Sequence, residues 1–268
     1  MYPCTYLRPA SLAEAVALLD AHPEAKALAG GMTLVPTLKQ RLSAPTHLVD
    51  VTRLPELQGV AVHDGVLRIG AATRHAEVAR SPVVRAALPA LAHLASLIGD
   101  QQVRNRGTMG GSVANSDPAA DYPSAVLGLG ATVVTDRRRI AADAFFTGMF
   151  QTALEPAELI VAFEIPLPRR AGYAKQPHPA SGYAVTGVFI AETEAGVRVA
   201  VTGAGPCAFR WTEAERRLAQ GLRVAALEGL APAAAGLNDD LSASADYRAH
   251  LVATLARRVV ASLEAGAH

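Results

Sequence analysis

Two glycine pairs constrain this chain more than any other feature: Gly30-Gly31 in AGGMTLVP (29–36) and Gly110-Gly111 in VRNRGTMGGSVANSDPAADYP (103–123). Glycine lacks a Cβ and reaches positive φ at little cost, so a Gly-Gly pair lets backbone N–H groups converge on an anion. At the first pair, the apolar run from Lys26 to Ala29 reads as a buried strand that ends on the glycines. Thr33 follows as the expected N-cap of a helix, which would bring free amides and a positive helix end to one point. At the second pair, Thr108 and Ser112 flank the glycines, Arg104, Arg106 and Gly107 precede them, and Asp117 and Asp121 follow. A lone pair reads as a tight turn. Two such pairs in one chain suit a ligand with two phosphates.

The commoner phosphate motifs are absent. None of Lys26, Lys39 and Lys175 follows a glycine, which excludes a P-loop. Gly128-Leu-Gly130 lacks the third glycine of a Rossmann turn and runs into a strand-like Ala131–Val134 instead of a helix.

With 268 residues, 50% hydrophobic, and a net charge of +1, the chain is long enough for two compact domains and is no basic nucleic-acid binder. Arg137-Arg138-Arg139 reads as a solvated hairpin turn. No apolar run approaches the ~18 residues of a membrane span, and MYPCTYLRP does not follow the order of a signal peptide, so a cytoplasmic protein is expected. Cys4 and Cys207 are too few for an iron–sulfur cluster, which takes about four ligands, and are not expected to form a disulfide. The eight histidines lack metal-ligand spacing, so no metal site is expected, and His75 and His93 read as surface or satisfied helix residues. Ser112 lies in no Gly-x-Ser-x-Gly elbow, which leaves a hydrolase without its nucleophile.

Periodicity predicts an α+β chain. Ser11 and Glu14 mark a capping box for a helix to His22, and a second helix runs from Thr33 to near Leu42. A strand is expected at 46–51, and a hairpin turns at Asp64-Gly65. Thr73 is expected to cap a short helix, and one longer helix to run from Ser81 to Gly99. A short helix (122–129), a strand–turn–strand (131–142) and a strand (157–168) follow. Residues 169–180, rich in Pro, Gly and basic residues, read as an internal boundary. Two antiparallel strands (183–192, 197–202) and two helices (212–220, 246–264) complete the chain.

AGGMTLVPTLKQRL paired with QVRNRGTMGGSVANSDPAADYP, and followed by LIVAFEIPLP and YAKQPHPASGYAVTGVFIA, resembles the FAD-binding medium subunit of the molybdenum hydroxylases, the xanthine dehydrogenase and carbon monoxide dehydrogenase family. The resemblance covers most of the chain. It implies a two-lobed FAD-binding domain of the PCMH/vanillyl-alcohol-oxidase-like type, residues 1–55 and 56–170, and a C-terminal α+β domain, 171–268, built as an antiparallel sheet with helices. By resemblance, non-covalent FAD is held by Lys26, Ala29, Gly30, Gly31, Met32, Thr33 and Leu34 and by Thr108, Gly110, Gly111 and Ser112. Asp121 is assigned to ribityl or ribose hydroxyls, with an N-cap of the next helix as its alternative role, and Lys175 to the neighbourhood of the flavin. Met32 stands where many relatives carry His or Gln, Ser112 where many carry Asn, and Ile98 where some carry an aromatic residue; Arg104 and Arg106 are assigned structural pairing. No side chain is assigned a catalytic role. The resemblance further implies a small [2Fe–2S] subunit and a large molybdopterin subunit, arranged as a dimer of heterotrimers, and an external acceptor such as NAD, a quinone or oxygen. A non-catalytic FAD or dinucleotide module is the alternative. A covalent flavin oxidase finds no His or Cys in either glycine loop.

Overall fold

The computed structural model describes residues 1–266. Four sheets organise it. The first is small and parallel, with strand order β1-β3-β2, from β1 (Thr5–Leu7), β2 (Lys26–Leu28) and β3 (His47–Asp50). Parallel neighbours need crossovers, and the helices α1 (Leu12–Ala21) and α2 (Leu34–Lys39) supply them. The Ser11 hydroxyl caps α1 by accepting the Glu14 amide, while the Glu14 carboxylate reaches back to the Ala10 amide. α2 stops short of Leu42 because Arg41 turns to φ 60.

The hairpin of β4 (Val60–His63) and β5 (Val66–Gly70) turns at Asp64-Gly65, both at positive φ, as a two-residue hairpin loop requires. Five short helices and their links follow: α3 (His75–Arg80), α4 (Pro82–Ala87), α5 (Pro89–Ser96), α6 (Gln101–Arg104) and α7 (Met109–Asn115). Two expectations fail in this stretch. The single helix across 81–99 is broken because Pro89 lacks an N–H and forces Leu88 out of the helical region, to φ −150 and ψ 70. Thr73 does not cap α3: Arg74 holds that position, and the Thr73 hydroxyl turns to the Gly59 carbonyl.

After α8 (Tyr122–Gly128) come β6 (Thr132–Thr135), β7 (Arg139–Ala141), the small hairpin of β8 (Phe146–Gly148) and β9 (Gln151–Thr152), and β10 (Ile160–Pro166). The middle sheet is antiparallel throughout, in the order β4-β5-β10-β6-β7. The chain leaves it through only residues 167–169. These are pinned at both ends, Leu167 donating to the Gly65 carbonyl and Arg169 to the Glu192 carbonyl.

Residues 169–180 are not a linker. They carry β11 (Arg170–Pro177), paired along its whole length with β12 (Ala184–Thr193). As the edge of the sheet β11-β12-β13-β14, with β13 (Gly196–Thr202) and β14 (Phe209–Arg210), it tolerates a terminal proline. Gly172 on β11 admits Val259, which a Cβ would meet at 2.8 Å. β12 is buried on both faces, which explains its unbroken apolar run. Phe189 and Ala191 pack toward the core that includes α8, whereas Val188 and Ile190 pack with Leu255, Val259 and Leu263 of α10 (Ala245–Glu264). Each such fully buried large side chain contributes about 1.5–3 kcal/mol. With α9 (Thr212–Leu218), α10 closes the outer face. Among the described residues no helix is long and apolar enough to cross a membrane.

Candidate functional site

A cleft of about 640 Å3 opens between the end of β2 and the start of α7. Lys26, Ala29, Gly30, Gly31, Met32, Thr33 and Leu34 border it on one side, and Thr108, Gly110, Gly111, Ser112 and Asp121 on the other. Ile98 also borders it, while Lys175 lies behind the wall. The two glycine loops touch directly. A Cβ on Gly30 would sit 2.2 Å from the Arg106 carbonyl oxygen and 2.6 Å from the Gly107 Cα. Side chains at this crossing would spread the cleft.

The loops differ in what their backbones offer. Among the described residues no acceptor takes the amides of Gly30 through Leu34, and Gly31 sits at φ 73, so these donors are open to the cleft they border. Thr33 precedes α2, but its hydroxyl caps nothing in that helix. At the second loop the amides are already engaged. Met109 donates to the Thr73 carbonyl (3.0 Å), Gly110 to the Ala71 carbonyl (2.8 Å) and Ser112 to the Thr108 carbonyl (3.1 Å). The Gly111 amide donates to the Thr108 hydroxyl at 3.1 Å, because Gly110 and Gly111 lie in the first turn of α7 with Thr108 as its cap. The expectation that both pairs offer free amides therefore holds for the first only. At the second, glycine permits close approach: a Cβ on Gly110 would meet Ala71 at 2.6 Å.

Asp121 begins α8 without capping it. Its carboxylate accepts from the Tyr173 hydroxyl at 2.6 Å and from the Lys175 ammonium at 2.9 Å. Lys175 also donates to the carbonyls of Leu97 (2.9 Å) and Gly182 (2.8 Å). Both side chains of the pair are 4% exposed, so Lys175 is a buried residue of β11. Burial pushes the Asp121 carboxyl above its ordinary value, while Lys175 and Tyr173 pull it back down. Burial beside Asp121 raises the Tyr173 hydroxyl well above its ordinary value, so it remains a donor. Asp121 thus joins α8 to β11 at the cleft wall, and a carboxylate has further lone pairs for a ligand hydroxyl.

Arg104 meets the expected structural pairing by donating to the Ile98 and Gly99 carbonyls, and Arg106 is exposed. His93 is exposed, but His75 is buried at the cleft and its Nδ1 is unpaired, contrary to its reading as a satisfied helix residue. Periodicity placed His75 on a helix but could not show that Gly107 covers it. Two further lining elements had no signal in the sequence: Tyr183, which interacts with Thr33 across the cleft, and the segment from Thr152 to Ile160. No group of three or more potential metal ligands occurs among the described residues, and both cysteines are free.

Open amides on one side, tightly approaching glycines on the other and a cleft of this volume fit a dinucleotide such as FAD. Residues 2–168 match the family described as FAD binding domain in molybdopterin dehydrogenase. The chain is 35% identical to the carbon monoxide dehydrogenase medium chain of Hydrogenophaga pseudoflava, with 95% of each chain covered. It is 34% identical to the nicotine 6-hydroxylase medium subunit of Paenarthrobacter nicotinovorans over 98% of this chain and 97% of that one. Among solved structures, quinoline 2-oxidoreductase from Pseudomonas putida 86 superposes with a TM-score of 0.89 at 30% identity, covering 100% of this chain and 99% of the other. The chain belongs to the FAD-binding medium subunits of the molybdenum hydroxylases, the component that carries the flavin and passes electrons onward in an oxidoreductase with large and small partner subunits.

Proposed function

We propose that the cleft holds one FAD non-covalently, with the diphosphate on the open amides of Gly30 to Leu34. The unpartnered amides carry this reading. When bound, FAD supplies the chemistry that accepts single electrons from an iron–sulfur centre and releases them in pairs. The chain's own residues bind and position it. Ala29, Thr108, Gly110, Gly111 and Ser112 form close walls, and Lys26 and Ile98 line the cleft beside them. Asp121, held by Tyr173 and Lys175, offers its remaining lone pairs to ribityl or ribose hydroxyls. Lys175 ties the segment around Gly182 to the end of α5, which fixes the wall near the flavin. Met32 is 39% exposed, consistent with binding by its backbone and not its side chain.

In this reading residues 1–55 and 56–170 are the two FAD-binding lobes and 171–268 the C-terminal domain. The complex is a cytoplasmic dimer of heterotrimers with a [2Fe–2S] subunit and a molybdopterin subunit, and delivers electrons to NAD, a quinone or oxygen. Acid treatment of the purified chain is expected to release a yellow compound that chromatographs as FAD. Affinity purification from the native host should bring down iron- and molybdenum-containing partners. A chain that binds FAD but recruits neither partner and is never reduced by one would be a non-catalytic dinucleotide module instead.

A further inference from the structure

Beneath the crossing of the two loops lies a buried polar pair that nothing among the described residues satisfies. His75 opens α3 and is 4% exposed; its Nδ1 is fully buried without a partner, and no hydrogen bond reaches either ring nitrogen among the described residues. Its backbone amide donates to the Gly107 carbonyl at 2.9 Å. The ring packs under the same glycine, since a Cβ on Gly107 would stand 2.5 Å from Nε2. His75 and Gly107 both border the cleft, so the Nε2 edge is turned toward the second loop where Gly30 crosses it. Beside it Tyr122 is fully buried with an unpartnered hydroxyl, the two ring centroids 5.3 Å apart. Buried polar atoms nearly always have partners, and of this pair only His75 borders the cleft, where its Nε2 is without a hydrogen bond among the described residues.

Resting on the FAD reading of the cleft, we infer that His75 is a binding residue for the dinucleotide's diphosphate, donating from Nε2–H while the Tyr122 hydroxyl, through one water, donates to Nδ1 and fixes that tautomer. Phosphate oxygens only accept, so a donor is required at this point. Burial and the Arg104 guanidinium push His75 down to about 4, which keeps the ring neutral. Burial beside Asp121 pushes the Tyr122 hydroxyl up, which keeps it a donor.

The test uses the full chain stripped of flavin, labelled with 15N-histidine and titrated with FAD, ADP and riboflavin. The His75 signals, identified by their loss in His75→Gln, should shift at Nε2 with FAD and ADP but not with riboflavin. His75→Leu should weaken FAD and ADP about 10- to 100-fold and leave riboflavin affinity and the melting temperature of the unliganded chain unchanged. Glutamine should recover part of the loss, and Tyr122→Phe should cost a smaller factor. If His75→Leu does not fold, the titration of the unaltered chain decides alone. Unshifted His75 signals at saturating FAD, or a leucine variant that binds FAD and ADP as the unaltered chain does, would overturn the assignment. An unaltered chain that binds neither FAD nor ADP would overturn the reading of the cleft itself.

Discussion

At residues 30 to 34 the backbone amides have no acceptor among the described residues, whereas at 109 to 112 every amide already has one. The same Gly-Gly letters therefore do two kinds of work. In the first loop, beside a small three-stranded sheet, glycine opens donors toward the cleft. In the second, glycine lets a helix press against the turn after β5, so that the loop is part of the hydrophobic core as much as of the site. Sequence similarity between two glycine loops is thus no guide to which of them keeps its amides free. The neighbours that absorb the amides decide it, and these are distant in sequence.

That contrast predicts separable damage. Gly110→Ala should cost the most stability, because its methyl group would press on the Ala71 Cβ and carbonyl oxygen, both 2.6 Å away. A loss of about 3 kcal/mol in urea denaturation is expected, at the upper end for overpacking. A loss well below about 1 kcal/mol would show that the second loop is no part of the core. Gly30→Ala is expected to push the two loops apart and empty the site, since the clash with the Arg106 carbonyl falls between them, at a smaller cost to the hydrophobic core than Gly110→Ala. Its flavin-to-protein ratio should drop about tenfold or more, with a smaller loss of unliganded stability than Gly110→Ala shows. A colourless but strongly destabilised protein would erase the distinction.

Acid separates fold from amides in another way. Glu158, which borders the cleft, accepts from Arg138 and Thr135, and the Arg138 guanidinium holds its carboxyl down at about 2, against an ordinary 4.5. A depressed acid stabilises the folded state fully above about pH 4.5 and loses that contribution as pH falls toward about 2. Melting curves across this window should flatten in Glu158→Gln, while flavin bound at neutral pH stays the same. An equally steep acid dependence in the variant would assign the loss to other carboxylates. Thr108→Ala removes the cap from Gly111 and should cost about 1 kcal/mol of stability with FAD affinity nearly kept, because the freed amide faces the cleft. Met32→Ala should be the mildest, within about 0.5 kcal/mol on stability and nearly silent on FAD. A marked loss of flavin would show that the side chain binds.

The sequence revealed both glycine pairs because close approach demands glycine whatever the reason for it. It did not reveal which pair keeps its amides, since the carbonyls of Ala71 and Thr73 enter only when the hairpin folds under α7. Pro89 was readable as a helix breaker, yet the apolar period on both sides masked it. β11 escaped because an edge strand tolerates the Pro, Gly and Lys that mark a linker elsewhere. Asp121 and Lys175 were found through family resemblance. Their mutual pairing, and Tyr173 with them, required the fold.

The short passage from β10 to β11 limits how the cleft can open. Residues 167–169 contain Pro168, and amides on both sides of it are bonded to different sheets, so this link has little freedom to act as a hinge. Rigid-body swinging of the last sheet is blocked at its first residue. The turn at 178–183 carries Tyr183 over the first loop and is closed by the backbone bonds between His178, Gly182 and Tyr183. Lys175 fastens that turn to the cleft wall through the Gly182 carbonyl, so the cover over the first loop and the buried Asp121 pair are one hydrogen-bonded unit.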